Sequence, residues 1–122
     1  MSKKLIDADL LRQAGALIQL KGKNFVTYKG LLWIAHQHGL ESISVQIVRY
    51  DGETKEAICM ATLKGTRGEF VDVADASPQN VNRMMATCTL RMASTRAKAR
   101  VLRDYLGIGI CSLEELPGGD ND

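Results

Sequence analysis

Proline occurs only twice and cysteine three times in this sequence, and aromatic side chains make up 5%, with Trp33 the single tryptophan. The three cysteines, Cys59, Cys88 and Cys111, are an odd and scattered set with no C-x-x-C pair. That excludes a disulfide framework and a zinc ribbon and points to reduced, mostly buried thiols. No apolar run approaches the ~20 residues that span a bilayer, so no membrane partner is expected. The basic start, Met1-Ser2-Lys3-Lys4, runs into an amphipathic stretch holding Asp7 and Asp9, which does not read as a signal peptide. An intracellular, cytoplasmic protein is expected.

Catalytic constellations are also missing. His36 and His38 stand two apart on an expected helix and point in different directions, so neither a metal nor a cofactor is expected from them. Gly65-Thr66-Arg67-Gly68 lacks the lysine of a phosphate-binding loop. Asp72 and Asp75 could hold a metal but read better as partners of nearby cations. By the geometric roles an active site needs, the chain is expected not to be an enzyme.

The most informative absence is of acid. Between Ala76 and Arg103 lie six cations (Arg83, Arg91, Arg96, Lys98, Arg100 and Arg103) and no Asp or Glu. The net charge of +2 conceals this, because Glu114, Glu115, Asp120 and Asp122 follow Leu113. Residues 1–113 read as one domain and 114–122 as an acidic tail expected to be disordered.

Hydrophobic periodicity orders the rest. Leu10, Leu11, Ala14, Leu17 and Ile18 predict a helix over Asp9–Leu20. Lys21-Gly22-Lys23-Asn24 predicts a basic turn and Phe25-Val26-Thr27 a short strand. Tyr28–His38 predicts a second helix, closed by Gly39. A meander follows: Ser42–Tyr50, with Ile43, Val45 and Ile47 on one face, then Asp51-Gly52 as a hairpin signal, Glu56–Leu63, a turn at 64–68, and Glu69–Ala74. Ser77-Pro78 predicts the start of a helix of roughly 25 residues ending at Gly107. The fold class is α+β: an antiparallel meander of three to four strands packed on one long C-terminal helix, with short N-terminal helices.

On that helix Met85, Cys88, Met92, Thr95, Ala99, Leu102 and Leu106 form one stripe, and Leu90, Ala93, Ala97 and Val101 form a second on nearly the opposite side. Two stripes predict two packing surfaces, the second being a neighbouring subunit. Arg96, Arg100 and Arg103 share one flank; Arg91 and Lys98 lie on another. The row is compatible with phosphate contacts along a single strand. It is equally compatible with salt bridges to another element, Asp72 or Asp75 being candidates. Lys21, Lys23 and Lys29 form a possible second basic patch, and Lys64 and Arg67 sit on a hairpin tip. Trp33 and Phe25 are expected in the core, and Tyr50 is expected exposed.

The helix tail, from Met92-Ala93-Ser94-Thr95-Arg96-Ala97-Lys98-Ala99-Arg100 to Val101-Leu102-Arg103-Asp104-Tyr105-Leu106-Gly107-Ile108-Gly109, resembles the "(M)AETRAxxRALRxxLGIG" signature of single-strand annealing proteins. These include the eukaryotic Rad-type recombination mediator, phage essential-recombination-function proteins and the DNA-damage-response A protein of radiation-resistant bacteria. Val26-Thr27-Tyr28-Lys29-Gly30-Leu31-Leu32-Trp33-Ile34-Ala35 resembles the same family's "YIxxxGxxxLA" segment. The resemblance implies a β-β-β-α core, a homo-oligomer in the form of a ring or filament, and single-stranded DNA held by its phosphates in a basic groove. It also implies ATP-independent annealing in recombination or repair, near the nucleoid. Arg96 and Arg100 match phosphate-contacting positions of the family. Ser94 and Leu32 depart from it, and Lys29 is placed to substitute at the second. On this reading Arg96, Arg100, Arg103, Lys29, Lys98, Lys64, Arg67, Lys21 and Lys23 bind DNA. The alternative is a structural or regulatory oligomer, binding RNA or a protein, whose arginines make inter-subunit salt bridges.

Overall fold

The computed structural model describes residues 8–13, 15–81, 86, 88–108, 112 and 115, with the backbone alone at 8–10. Arg83, Met85, Cys111 and the tail from 116 onward lie outside the described residues. The chain runs α1 (Ala8–Gln13), β1 (Leu17–Leu20), β2 (Lys23–Val26), α2 (Tyr28–Gln37), β3 (Leu40–Tyr50), β4 (Ala57–Gly65), β5 (Gly68–Ala76) and α3 (Thr89–Leu106). The architecture is α+β. β1 and β2 form an antiparallel hairpin, and β3, β4 and β5 form an antiparallel meander with β4 in the middle.

The meander follows the alternation in the sequence. Ala57, Cys59, Ala61 and Leu63 are buried on one face of β4, and Ile47, Val45 and Ile43 stand opposite the last three of them on β3. The β3–β4 link is a hairpin, closed by a side chain. Asp51 accepts from Glu53 N (2.8 Å) and Thr54 N (3.2 Å), while Asp51 N donates to Glu56 O (2.9 Å). The two backbone bonds to the Asp51 carboxylate hold its pKa below the ordinary 3.8.

α3 lies across the buried face, over β4 and β5, and α2 packs on α3 from another side. This arrangement accounts for both apolar stripes. Met92, Ala99, Leu102 and Leu106 are buried, and so are Ala93, Ala97 and Val101. Three of the four residues of the second stripe are therefore buried within the chain itself, and Leu90 is half-buried. Two elements differ from the expectation. The helix over Asp9–Leu20 is α1 plus strand β1, since α1 ends in a Schellman motif: Ala16 N donates to Leu11 O (2.9 Å) and Gly15 N to Arg12 O (3.1 Å), with Gly15 at φ 73. The turn at Lys21-Gly22 (φ 52 and 78) then pairs β1 with β2 in the primed geometry that suits a two-residue hairpin.

The second difference is at the start of α3. The helix has 18 residues and opens at Thr89, while Ser77–Asn80 forms a separate turn. Asn80 holds that turn: its Oδ1 accepts from Ser77 N (2.8 Å), its N donates to Ser77 O (3.0 Å), and its Nδ2 donates to Asp75 Oδ2 (3.0 Å). Ser77 and Pro78 thus belong to a turn after β5. The C-terminal end of α3 matches its signal, with Gly107 at φ 71 in a second Schellman motif.

Candidate nucleic-acid interface

The three arginines predicted to line a groove are brought together, but along strand β5. Arg96 is 4% exposed. Its Nη1 donates to Asp75 O and Asn80 Oδ1 (3.0 Å each), and its Nη2 donates to Asn80 O (2.7 Å). One turn on, Arg100 Nη1 donates to Val73 O (3.0 Å) and Nε to Glu115 Oε1 (3.3 Å). Arg103 meets both oxygens of the same carboxylate: Nη2 donates to Oε1 at 3.0 Å and Nε lies 3.0 Å from Oε2. The guanidiniums thus join α3 to β5, to the 77–80 turn and to Glu115, all within one chain.

Glu115 falls in the segment expected to be a disordered tail, and the structure corrects this for that residue. Its side chain is 6% exposed. Besides the two arginines it accepts from Ser112 N (3.0 Å), and Glu115 N donates to Ser112 O (3.2 Å). Ser112-Leu113-Glu114-Glu115 has the S-x-x-E spacing of a capping box, the sequence signal that identifies this turn. Ser112 also bridges to Val26 of β2.

Arg67 is likewise engaged. Its Nη1 donates to Tyr105 O (2.8 Å) in the last turn of α3, where a cation is favoured by the helix dipole. Its guanidinium stands 5.7 Å from the Tyr105 ring centroid. The same ring meets Phe70 edge-on at 5.4 Å, and its hydroxyl donates to His38 O (2.7 Å). Asp104 and Asp72 approach one another nearby. Burial, then the charge and hydrogen bond of Asp72, push the Asp104 carboxyl above its ordinary value.

Of the other cations expected to bind DNA, Lys21, Lys23, Lys29 and Lys64 face solvent and Lys98 is half-buried. Lys21 and Lys23 flank the β1–β2 turn, at the end of that hairpin away from α2. Lys64 is exposed near the end of β4, on the sheet face turned away from α3. Lys29 is exposed in the first turn of α2 and Lys98 is half-buried on α3. Lys98 Nζ lies 5.6 Å from the centroid of the Tyr28 ring, so Lys98 and Lys29 are brought to the N-terminal end of α2. That end is fixed by Thr27, whose Oγ1 accepts from Gly30 N (3.0 Å), and α2 carries no Asp or Glu to neutralise it.

Trp33 departs from its expected place. It is 54% exposed, one turn beyond Lys29. Gly30, Leu31, Ile34 and Ala35 form the buried face of α2, and at about 100° per residue Trp33 falls on the opposite side with Lys29 and His36. The wheel of Tyr28–His38 carries this signal, but Trp33's apolar neighbours in sequence mask it. Arg91, exposed and two turns before Lys98 on the same flank of α3, is a second residue that the site prediction omitted. It lines an open groove of about 560 Å³ between α3 and β3, with Val45, Ile47, Cys59, Leu90 and Ser94. Burial pushes the Cys59 thiol up, which disfavours the nucleophilic thiolate.

Among the described residues no group of His, Cys, Asp and Glu is arranged to hold a metal ion, and no helix is long and apolar enough to cross a membrane. No family model, no curated protein and no solved structure matches this chain.

Proposed function

We propose that this chain binds single-stranded DNA on the surface formed by Tyr28, Lys29, Trp33, Lys98 and Arg91, and that it promotes annealing of complementary strands without ATP. The observation that carries the reading is the exposed Trp33 one turn from Lys29, on a helix without acid. An exposed indole beside cations is the combination that single strands use: bases stack on the aromatic face while ammonium and guanidinium groups neutralise phosphates. A duplex hides its base faces and gains only the charge contribution. The annealing step, the homo-oligomeric working form and a role in recombination or repair in the cytoplasm rest on the family resemblance of the α2 and α3 segments.

The assignment shifts the phosphate contacts from the Arg96–Arg100–Arg103 row to Lys29, Lys98 and Arg91. Arg96 is nearly buried and its bonds hold α3 to β5 and the 77–80 turn, while Arg100 and Arg103 are held by Glu115, so using the row for phosphate would cost those bonds. A second reading, in which the chain is a structural module for a protein partner, draws on Val71 and Val73, both exposed on the sheet face away from α3.

Titration of labelled oligo-dT and a matched duplex at two salt concentrations tests the proposal. Single-strand affinity should exceed duplex affinity and fall steeply with salt, by a slope of ~0.7 for each phosphate neutralised. Equal, salt-independent or absent binding returns the chain to the protein-partner reading.

A further inference from the structure

We propose that β3 is the joining edge of a two-fold pair of these chains, in which β3 adds antiparallel to β3 of a second copy, with Val45 opposite Val45. The sheet has two edges, and they are in different states. On β5 the outer edge is taken up by side chains. Val73 N donates to Asp72 Oδ1 (2.7 Å), Val73 O accepts from Arg100 and Asp75 O accepts from Arg96. Val73 and Asp75 are two apart and so direct their backbone groups to the same side of the strand. A strand arriving there would have to displace three charge-assisted bonds. This disfavours the head-to-tail joining of β3 to β5 that a ring would use.

The β3 edge is open. Among the described residues no strand pairs with it beyond β4, and it runs 11 residues, Leu40–Tyr50, without proline. α3 also stops short of covering it. Ile47 stands opposite buried Cys59 on the face toward α3 and is still 59% exposed. It forms one wall of the 560 Å³ groove, whose floor of Val45, Cys59 and Leu90 lies directly inside the free edge. A strand added to β3 would cover this groove with its own inward residues. Long, apolar open edges are the usual sites of strand addition.

The occupant is identified by the strand's own sequence, Leu-Glu-Ser-Ile-Ser-Val-Gln-Ile-Val-Arg-Tyr, which is self-complementary about Val45. Reversed on itself at that residue, it sets Ser44 against Gln46 and Ile43 against Ile47, the isoleucines on the groove side. It brings Glu41 to Arg49 at each end, and Leu40 to Tyr50 beyond them. A shift by two residues in either direction loses the charge pairing. The irregularities in β3, between Leu40 and Ser42 and between Ile47 and Arg49, bound a regular central stretch that contains the paired core. An isologous contact of this kind closes at two copies.

The pairing is tested without DNA, and its failure leaves the Lys29, Trp33 and Lys98 contacts of the binding proposal untouched; Arg91, which lines the groove that pairing would cover, belongs to both surfaces. Sedimentation and light scattering of the full chain at tens of micromolar should give twice the chain mass. Arg49→Glu alone and Glu41→Arg alone each place like charges together twice and should weaken the pair about three- to tenfold, the scale of exposed ion pairs counted twice. The double exchange Glu41→Arg with Arg49→Glu should restore it. Val45→Cys should form a disulfide-linked pair on mild oxidation that the wild-type chain does not. A monomer at these concentrations, a mass beyond two chains, or single and double variants of equal affinity would overturn the proposal.

Discussion

Arg96 shows how burial reverses the meaning of a residue. In sequence it is a cation with no acidic partner on its helix; in the fold it is the link between α3, β5 and the Asn80 turn. Arg96→Ala would take the guanidinium donor from Asp75 O and Asn80 O, leave Asn80 Oδ1 with Ser77 N alone, and empty the nearly buried space that the side chain fills. The expected loss is about 3 kcal/mol of stability, the sum of several unsatisfied buried groups. It would be read from chemical denaturation, with DNA affinity per folded molecule unchanged. Lys29→Ala and Trp33→Ala should behave in the opposite way. Both side chains are exposed, so stability should stay within about 0.5 kcal/mol. Trp33→Ala should weaken single-strand binding by the stacking contribution of ~1–3 kcal/mol per base. Lys29→Ala should lower the salt slope by about 0.7.

Two carboxyls give opposite pH signatures. The Asp51 pKa is lowered by its backbone bonds, so its contribution to stability is present above its unfolded value, near 3.8, and is lost as pH falls through the folded value. Hydrogen-exchange protection at Glu53 N and Thr54 N, relative to the intrinsic rate at each pH, should therefore fall in acid before the sheet itself opens. Asp104 is raised by burial and by Asp72, so its ionised form is a destabilising presence above the folded value that protonation relieves. Asp104→Asn should raise the melting temperature at neutral pH, and the gain should vanish toward pH ~4. A constant gain across that range would remove the Asp72 contact as its cause.

At the scale of elements, the clasp at Glu115 is the least expected feature. One nearly buried carboxylate meets Arg100, Arg103 and Ser112 N, and so fixes the chain beyond α3 against the helix. Removing it leaves two guanidiniums without their anion. Glu115→Ala should cost on the order of 2–4 kcal/mol, because breaking a partly buried pair from one side strands the other charge. Glu115→Gln should cost less, since the amide oxygen still accepts. Strands β3 to β5 and the body of α2 were legible because alternation, turn residues and the Gly39 stop all agree there. α1 and the start of α3 were misread for a shared reason. Leu17 and Ile18 fit a helical period, and Ser77-Pro78 fits a helix start, but in each case a partner distant in sequence decided. For β1 it was β2, and for the turn after β5 it was Arg96.

For the whole molecule, α3 is enclosed between the sheet on one side and α2 on another, with both of its apolar stripes used. Among the described residues, apart from Trp33 on α2 and Leu20 on β1, the large apolar side chains left exposed are on the three-stranded sheet: Val71 and Val73 on its outer face, and Ile47, Val48 and Tyr50 on β3. Assembly, if directed by the hydrophobic effect, will use these surfaces and not the helix. The proposed annealing would likewise draw on the whole molecule, because it needs phosphates held while most bases stay free to pair. At saturating protein, complementary strands should anneal faster than in protein-free buffer, with no nucleotide present. Intact binding without acceleration would confine the chain to strand protection.

The sequence alone determined the fold class, the meander with its register of inward residues, the closure of α2 and α3, and the concentration of positive charge on one helix. Those properties depend on local period, on glycine geometry and on composition, which a linear chain carries in full. Only the tertiary structure decided which cations meet solvent. A wheel places Arg96 and Arg91 on different flanks of α3 but does not say which flank meets a strand edge with carbonyls to satisfy. β5 supplied those carbonyls, and Asn80 and Glu115 completed the shell. The row that looked free was drawn inward, while Arg91, Lys98, Lys29 and Trp33 were left at the surface.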